Sequence, residues 1–367
     1  MLIIAEIGTS HGGDLLRARE LIAAAAEAGA DCAKFQYVIA AEILHPATGL
    51  VELPGGAVDL YRRFETLQQP QAFYRQLIDA CRAAGIEFLC TPFGAESARR
   101  LQQLGVTRFK VASPELNHAP LLRQLAGYGK PLILSTGVSL LGDIERALGQ
   151  LRGVAVTLLH CVTAYPAPEQ QYNLRLLPLL QRLFGVPCGV SDHSADPLLV
   201  PTVAAALGAA VIEKHITLTH DGDGLDDPIA VTPVDFARMV RMARAAAEAR
   251  PPAAVSDLTP ERLTELQREF GRRRVEAVLG DGRKGLAAAE LANYGRSNRS
   301  LHALRDIPAG ATVASDAVAV LRSEHNLSPG LSPWLLDAVI GAVAARDIAD
   351  GAGIVWEDLI RRRGHDE

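Results

Sequence analysis

Eight short apolar runs, spaced through the first 250 residues and separated by amphipathic stretches, constrain this chain more than any other feature. They lie at 2–7, 31–36, 86–91, 108–112, 131–135, 154–160, 186–191 and 210–215. Rich in Val, Ile, Leu, Phe and Cys and with little polar alternation, they read as parallel strands covered on both faces. Helical stretches fall between and after them, at 14–29, 70–85, 95–104, 118–128, 139–151, 173–184, 197–207 and 233–249. In the first of these, Leu15, Ala18, Leu21, Ile22, Ala25 and Ala28 make one apolar stripe. The fold class is therefore α/β, and eight βα units predict a closed (β/α)₈ (TIM) barrel. A doubly wound open sheet would have fewer strands and a glycine-rich first turn, which Gly8-Thr9-Ser10-His11 does not supply.

The barrel is expected over 1–250 and a connector over 251–296, opening on Pro251-Pro252-Ala253-Ala254. Residues 259–292 read as helical and then turn-like at Gly280-Asp281-Gly282, and Arg272-Arg273-Arg274 as a solvated helix face. From about 297 to 367, short strands and turns such as Pro308-Ala309-Gly310 and Asp350-Gly351-Ala352-Gly353 predict a small β-rich domain. A net charge of −5 argues against a general nucleic-acid binder and leaves room for an anionic substrate in a locally cationic pocket. Cys32, Cys81, Cys90, Cys161 and Cys188 all fall in apolar strand-like or helix-like runs, which suits reduced thiols. No apolar run reaches the roughly 18 residues of a membrane span, and the N-terminus lacks a signal-peptide pattern. The expected location is the cytoplasm, with no nucleic acid and no membrane as partner.

Functional groups in a βα barrel sit where the strands end, and here almost every strand ends in one. Lys34 and Lys110 are costly to bury unless they face an anion. Thr91, Ser113, Ser135, Thr163 and Ser191 surround them as donors, and together they suit a cradle for a phosphate and a carboxylate. The plainer alternative pairs each lysine with Glu6 or Glu115. His193 and His215 end neighbouring strands and would hold a labile divalent ion, Mn²⁺ or Mg²⁺; otherwise they are hydrogen-bonded rim residues. His11, His160 and His220 are weaker ligand candidates. Glu115, two residues after Ser113, is the candidate general acid or base, or else a lysine counter-ion.

These motifs occur in a telling order: Ala5-Glu6-Ile7-Gly8, Ser10-His11-Gly12-Gly13-Asp14, Lys34-Phe35-Gln36, Thr91-Pro92-Phe93, Lys110-Val111-Ala112-Ser113-Pro114-Glu115, Ser135-Thr136-Gly137, Tyr165-Pro166, Ser191-Asp192-His193 and Glu213-Lys214-His215. The set resembles the N-acetylneuraminate (sialic acid) synthase family, with its legionaminate, pseudaminate and spore-coat polysaccharide synthases. Arg299-Ser300-Leu301, Pro329-Gly330-Leu331-Ser332-Pro333 and Asp347-Ile348 are similar to that family's C-terminal antifreeze-like (SAF) domain. The resemblance implies metal-dependent condensation of phosphoenolpyruvate with an N-acylated hexosamine, such as N-acetylmannosamine, to a nonulosonic acid and phosphate by C–O cleavage. It implies that Lys34, Thr91, Lys110, Ser113, Ser135, Thr163 and Ser191 hold phosphoenolpyruvate, and that His193 and His215 bind the metal. Glu115 would then handle protons, with Glu6, Gln36, Phe93, Tyr165, Asp226 and Arg322 lining the sugar end. It further implies a homodimer with exchanged C-terminal domains, Arg322 arriving from the neighbouring chain.

The sequence departs from the family pattern at Ser10-His11-Gly12-Gly13 (commonly Asn-His-Asn-Gly), Gly224-Leu225-Asp226-Asp227 (Gly-Pro-Asp-His), Arg322-Ser323-Glu324 (Arg-Pro-Gly) and Thr163 (Asn in some members). Most of these changes lie toward the sugar end. Two competing readings are another divalent-metal barrel aldolase or sugar isomerase, which needs more carboxylate and histidine ligands, and an inactive barrel that binds sugars or serves as a scaffold.

Overall fold

The computed structural model describes residues 1–53, 56–220, 224, 226–249, 258–324 and 326–360. Its main sheet has eight parallel strands: β1 (Leu2–Gly8), β2 (Cys32–Tyr37), β5 (Glu87–Pro92), β6 (Phe109–Val111), β7 (Leu132–Ser135), β8 (Val156–Cys161), β9 (Cys188–Asp192) and β10 (Val211–His215); β3 (Leu50–Leu53) and β4 (Gly56–Asp59) form a separate hairpin. The order β5-β2-β1-β10-β9-β8-β7-β6 brings β5 beside β6, so the sheet curls into an all but closed barrel. Each strand falls within two residues of one of the eight apolar runs. Helices follow every barrel strand, from Leu15–Glu27 to Pro233–Glu248. Asp14 caps the first, accepting from the amides of Leu16 and Arg17, and Thr232 caps the last with Pro233 at its first position.

The apolar stripe read at Leu15–Ala28 turns Ala18, Leu21, Ile22 and Ala25 inward, into the layer between barrel and helices. Leu77 and Phe236 are fully buried in that layer, so truncating either to Ala costs about 2–5 kcal/mol. A second, smaller cluster (Ile4, Cys32, Leu89, Ile133, Leu159 and Val211) fills the barrel's interior. Because successive strand side chains alternate, the lumen positions two residues further along β1, β2, β5, β7, β8 or β10 sit directly above this apolar floor.

Residues 38–69 make an excursion that has no long apolar run to announce it. The β3–β4 hairpin and the helix Leu60–Leu67 gather Val38, Ile43, Leu44, Val51, Leu60 and Leu67 against Phe93. Beyond the barrel, helices Pro260–Phe270 and Arg272–Leu279 run along its side. Arg272 is exposed beside Glu276, as a solvated face would have it, whereas Arg274 ties the connector to Glu169 and Asp196 at 2.6 Å each. The small domain pairs β11 (Arg299–Ala303) with β12 (Val318–Arg322) and β13 (Val343–Ala344) with β14 (Leu359–Ile360), around Leu301, Val313, Val339 and Ile354. Its two halves answer each other: Asp347 accepts from the Ala309 amide and Asp306 from the Asp350 amide.

Candidate active site at the barrel rim

Above the apolar floor lies a charged layer. Lys34 Nζ is 2.7 Å from Glu6 Oε2 and 3.8 Å from Glu213 Oε2. Lys110 Nζ donates to Ser135 Oγ at 2.6 Å and to Val111 O, and stands 3.8 Å from Glu213 Oε1. Ser191 Oγ donates to the same Glu213 oxygen at 2.8 Å. Thr91 is buried, and its hydroxyl has no partner among the described residues. Burial pulls the Lys110 ammonium below its usual value. Burial acts the same way on Lys34, but the Glu213 and Glu6 carboxylates outweigh it and hold that ammonium above its usual value. Burial would raise Glu213 too, yet Lys110 and Lys34 hold it down at about 2. Two cations and two anions are thus enclosed together, with Lys34 paired to Glu6 and both lysines sharing Glu213.

The loops after the strands add the remaining donors. Ser113 opens a 3-10 turn, Ser113–Glu115, and its Oγ accepts from the Gly137 amide at 3.0 Å. A Cβ at Gly137 would lie 2.0 Å from Thr163 Oγ1, so only glycine lets these loops meet. Glu6, Gln36 and Asp226 converge around Gly8, whose φ is +56° and whose Cβ would lie 3.3 Å from an atom of each. Gln36 Nε2 donates to Glu6 Oε1 at 3.2 Å.

His193 and His215 face each other with ring centroids 5.4 Å apart. Tyr165 stacks on His193 at 4.4 Å, and Asp226 lies 3.8 Å from His215 Nδ1. Burial lowers both imidazoles, His215 to about 3, so both are neutral near pH 7. The hydrogen bond from His193 Nδ1 to Val162 O (3.0 Å) leaves Nε2 with the lone pair. Two neutral imidazoles with a fixed tautomer on one of them suit a divalent ion held with open positions. Among the described residues, no group of three or more His, Cys, Asp or Glu side chains forms a fuller metal cage.

Glu115 is completely buried and meets arginines, not a lysine. Its Oε1 accepts from Arg299 Nη2 at 2.8 Å and from Arg322 Nη2 at 2.7 Å, as well as from both Nε atoms, while Oε2 has no hydrogen-bond partner among the described residues. The counter-ion alternative therefore holds for Lys34 with Glu6, and not for Lys110 with Glu115. Arg322 also lies over the Phe93 ring, 5.6 Å from its centroid. Both arginines belong to the same chain as the barrel they reach. Asn298 Nδ2 donates to Val138 O, the Arg299 amide to Asn117 Oδ1 and the Arg322 amide to Ile43 O, and these contacts seat the small domain on its own rim.

Every residue proposed for the phosphoenolpyruvate, metal and sugar positions thus lies in or around one mouth. The weaker histidines do not. His11 packs on Phe35 and Phe73, His160 bonds Tyr172 O on the outer face of β8, and His220 bonds Asp227 O. Sequence reasoning missed Glu213 and Arg299 as site residues. Glu213 precedes His215 by two on the same strand, so alternation would have found it; Arg299 opens the Arg299-Ser300-Leu301 motif, which carries no sign of its reach to Glu115.

Architecture and rim together define a barrel of the enzyme type, its polar mouth capped by a small β domain. Residues 21–253 match the NeuB family and residues 298–360 the SAF domain. The chain belongs to the NeuB family. It is 33% identical to the spore coat polysaccharide biosynthesis protein SpsE of Bacillus subtilis, over 98% of this chain and 94% of that protein, and its fold matches a crystal structure of that protein with a TM-score of 0.81 over 98% and 95% of the two chains. It is 30% identical to the N,N'-diacetyllegionaminic acid synthase of Legionella pneumophila, over 97% of this chain and 94% of that one. The crystal structure of an N-acetylneuraminic acid synthetase from Leptospira borgpetersenii aligns at 29% identity and a TM-score of 0.62, over 75% and 93% of the two chains.

Proposed function

We propose that this protein condenses phosphoenolpyruvate with the open-chain aldehyde of an N-acylated hexosamine, giving a nonulosonic acid and inorganic phosphate. The observation that carries this reading is the pair of buried lysines, Lys34 and Lys110, sharing Glu213 inside a ring of hydroxyls at the barrel mouth. Lys34, Lys110, Thr91, Ser113, Ser135, Thr163 and Ser191 bind the phosphate and carboxylate. The methylene carbon of phosphoenolpyruvate forms the new bond to the aldehyde carbon, water adds at the former enol carbon, and phosphate departs with its bridging oxygen. His193 and His215 hold Mn²⁺ or Mg²⁺, which supplies Lewis-acid polarisation of the aldehyde. Glu115 Oε2, free of the arginines that hold Oε1, handles the proton at the new alcohol. Glu6, Gln36, Phe93, Tyr165, Asp226 and Arg322 orient the sugar. The small set of imidazole ligands favours this reading over a metal aldolase or isomerase.

The test is phosphate release from phosphoenolpyruvate with Mn²⁺ and a panel of N-acylated hexosamines. Release should need all three components and stop on chelation with EDTA. Release with no sugar in the panel, or activity untouched by EDTA, counts against the reading or its metal. The proposed assembly is a homodimer with exchanged small domains, in which the Arg322–Glu115 pair forms between chains. Mixing Glu115→Gln protein with Arg322→Ala protein should then restore one intact site per heterodimer; verified exchange without restoration leaves Arg322 serving its own chain, as it does in this structure.

A further inference from the structure

Val138 has a φ of +43°, in the left-handed region that β-branched residues avoid. It follows Gly137 in the loop that carries Ser135, at the heart of the anion cradle. Such a backbone is disfavoured and persists only where its surroundings over-determine it. Here the surroundings come from the connector and from the first residues of the small domain. Glu290 Oε1 accepts from the Val138 amide at 2.7 Å and from the Thr163 amide at 2.8 Å. Asn298 Nδ2 donates to Val138 O at 3.1 Å. Val138 is therefore gripped at both its N–H and its C=O by residues more than 150 positions away. The grip is itself anchored, since Glu290 Oε2 accepts from the Ala287 amide and Asn298 Oδ1 from the Gly295 amide. Glu290 is 1% exposed.

Glu6 and Glu213 already neutralise the cradle's lysines, so a further buried carboxylate beside it adds charge that opposes the ligand. Its presence is explained if what it does to the backbone outweighs that repulsion, which the two amide donors already soften. We propose that Glu290 and Asn298 are positioning residues. They hold the loops after β7 and β8 in the strained arrangement that aligns Ser135, Gly137, Ser113 and Thr163 on the phosphate. The ligand named here rests on the proposed function; the clamp on Val138 does not.

The experiment uses the full chain with Glu290→Ala, Glu290→Gln and Asn298→Ala, each alone and combined with Val138→Gly. Glycine adopts a positive φ without strain and so removes the need for the clamp. Glu290→Ala should weaken phosphoenolpyruvate binding by about tenfold or more in titration calorimetry, and Asn298→Ala by less. Adding Val138→Gly should return the affinity to within about threefold of wild type, a rescue that a merely structural role would not give. Hydrogen exchange read by mass spectrometry should show faster exchange at the Val138 and Thr163 amides in Glu290→Ala without any ligand. If Glu290→Ala melts early, Asn298→Ala, alone and with Val138→Gly, carries the same comparison, while Glu290→Gln, which keeps an accepting oxygen, should stay near wild-type affinity. Unchanged affinity in a folded alanine variant, failure of the rescue, or unchanged exchange overturns the proposal. A wild-type chain that binds no phosphoenolpyruvate overturns the proposed function, and amide exchange then decides the clamp alone.

Discussion

Lysines are buried on both sides of the same barrel wall, and they live differently. Lys214 points outward from β10 and is completely enclosed. Its ammonium donates to Asp192 Oδ2 at 2.7 Å and to the Ser194 and Asp196 carbonyls. One cation meets one anion, and carbonyls take its remaining hydrogens. Inside the barrel, Lys34 meets Glu6 at 2.7 Å but also shares Glu213 with Lys110 at 3.8 Å each, and among the described residues Glu213 Oε2 accepts no hydrogen bond and the Thr91 hydroxyl has no partner. A satisfied buried charge does structural work and offers nothing to a ligand. A cluster whose two ammonium groups share one carboxylate beside an unpartnered Thr91 hydroxyl keeps donors in reserve, and these are the donors that the proposed anion would use.

That contrast can be broken most forcefully on the outer side. Lys214→Met strands the buried Asp192 carboxylate and should cost about 3–5 kcal/mol of stability in urea melts, with phosphoenolpyruvate affinity retained in the folded fraction. Pairing it with Asp192→Leu should recover much of that loss. Wild-type stability in the single variant would show that the pair does not hold the wall. Glu115 sits on both sides of the contrast, with one oxygen crowded by two arginines and the other unpartnered. Glu115→Gln keeps size and an accepting oxygen but not the proton chemistry, so turnover should fall by ~10²–10⁴ with both substrates still bound. Undiminished turnover would reduce Glu115 to a counter-ion for Arg299 and Arg322.

On the inner side, Lys34→Ala and Lys110→Ala should each weaken phosphoenolpyruvate binding by ~2–4 kcal/mol, since each removes a charge-assisted contact. Calorimetry giving near-wild-type affinity in both would mean that the shared lysines are structural after all, and the distinction drawn from Lys214 would fail.

Which parts of this were legible in the sequence follows from how local each signal is. The eight strands were, because a doubly covered parallel strand is a contiguous apolar run. Most lumen residues were, because they sit at strand ends, where alternation and motif order place them; Glu213 was passed over although the same alternation points it inward. Residues 38–69 were not: their apolar positions Val38, Ile43, Leu44, Val51 and Leu60 are scattered, and pack only once Phe93 is brought to them. Nor were Arg299 and Glu290, whose partners lie across the chain. Arg299 reaches Glu115, Phe93 O, Glu42 O and Val320 O, contacts that no periodicity encodes.

The smallest expected effect concerns His160, a buried group beside the site but not in it. It lies on β8 next to Cys161, bonds the Tyr172 carbonyl, and is held at about 3, chiefly by burial and further by the nearby Lys284 charge. Its folded value lies below the ordinary 6.5, so as pH falls the unfolded chain takes up the proton first. The stability that neutral His160 contributes is complete above pH 6.5 and is lost through the window from 6.5 down to 3, at up to ~1.4 kcal/mol per pH unit. His160→Gln retains a donor for Tyr172 O and does not titrate in that window. The variant should be less stable than wild type at pH 7.5, and the gap should close by about 1 kcal/mol per unit below pH 6, with the other histidines cancelling in the difference. Urea melts at pH 7.5, 6.5 and 5.5 read this directly. A gap that stays constant would mean that His160 protonates as readily folded as unfolded. The outer face of β8 would then be open to water, and the separation between a sealed wall and a receptive lumen would be lost at that strand.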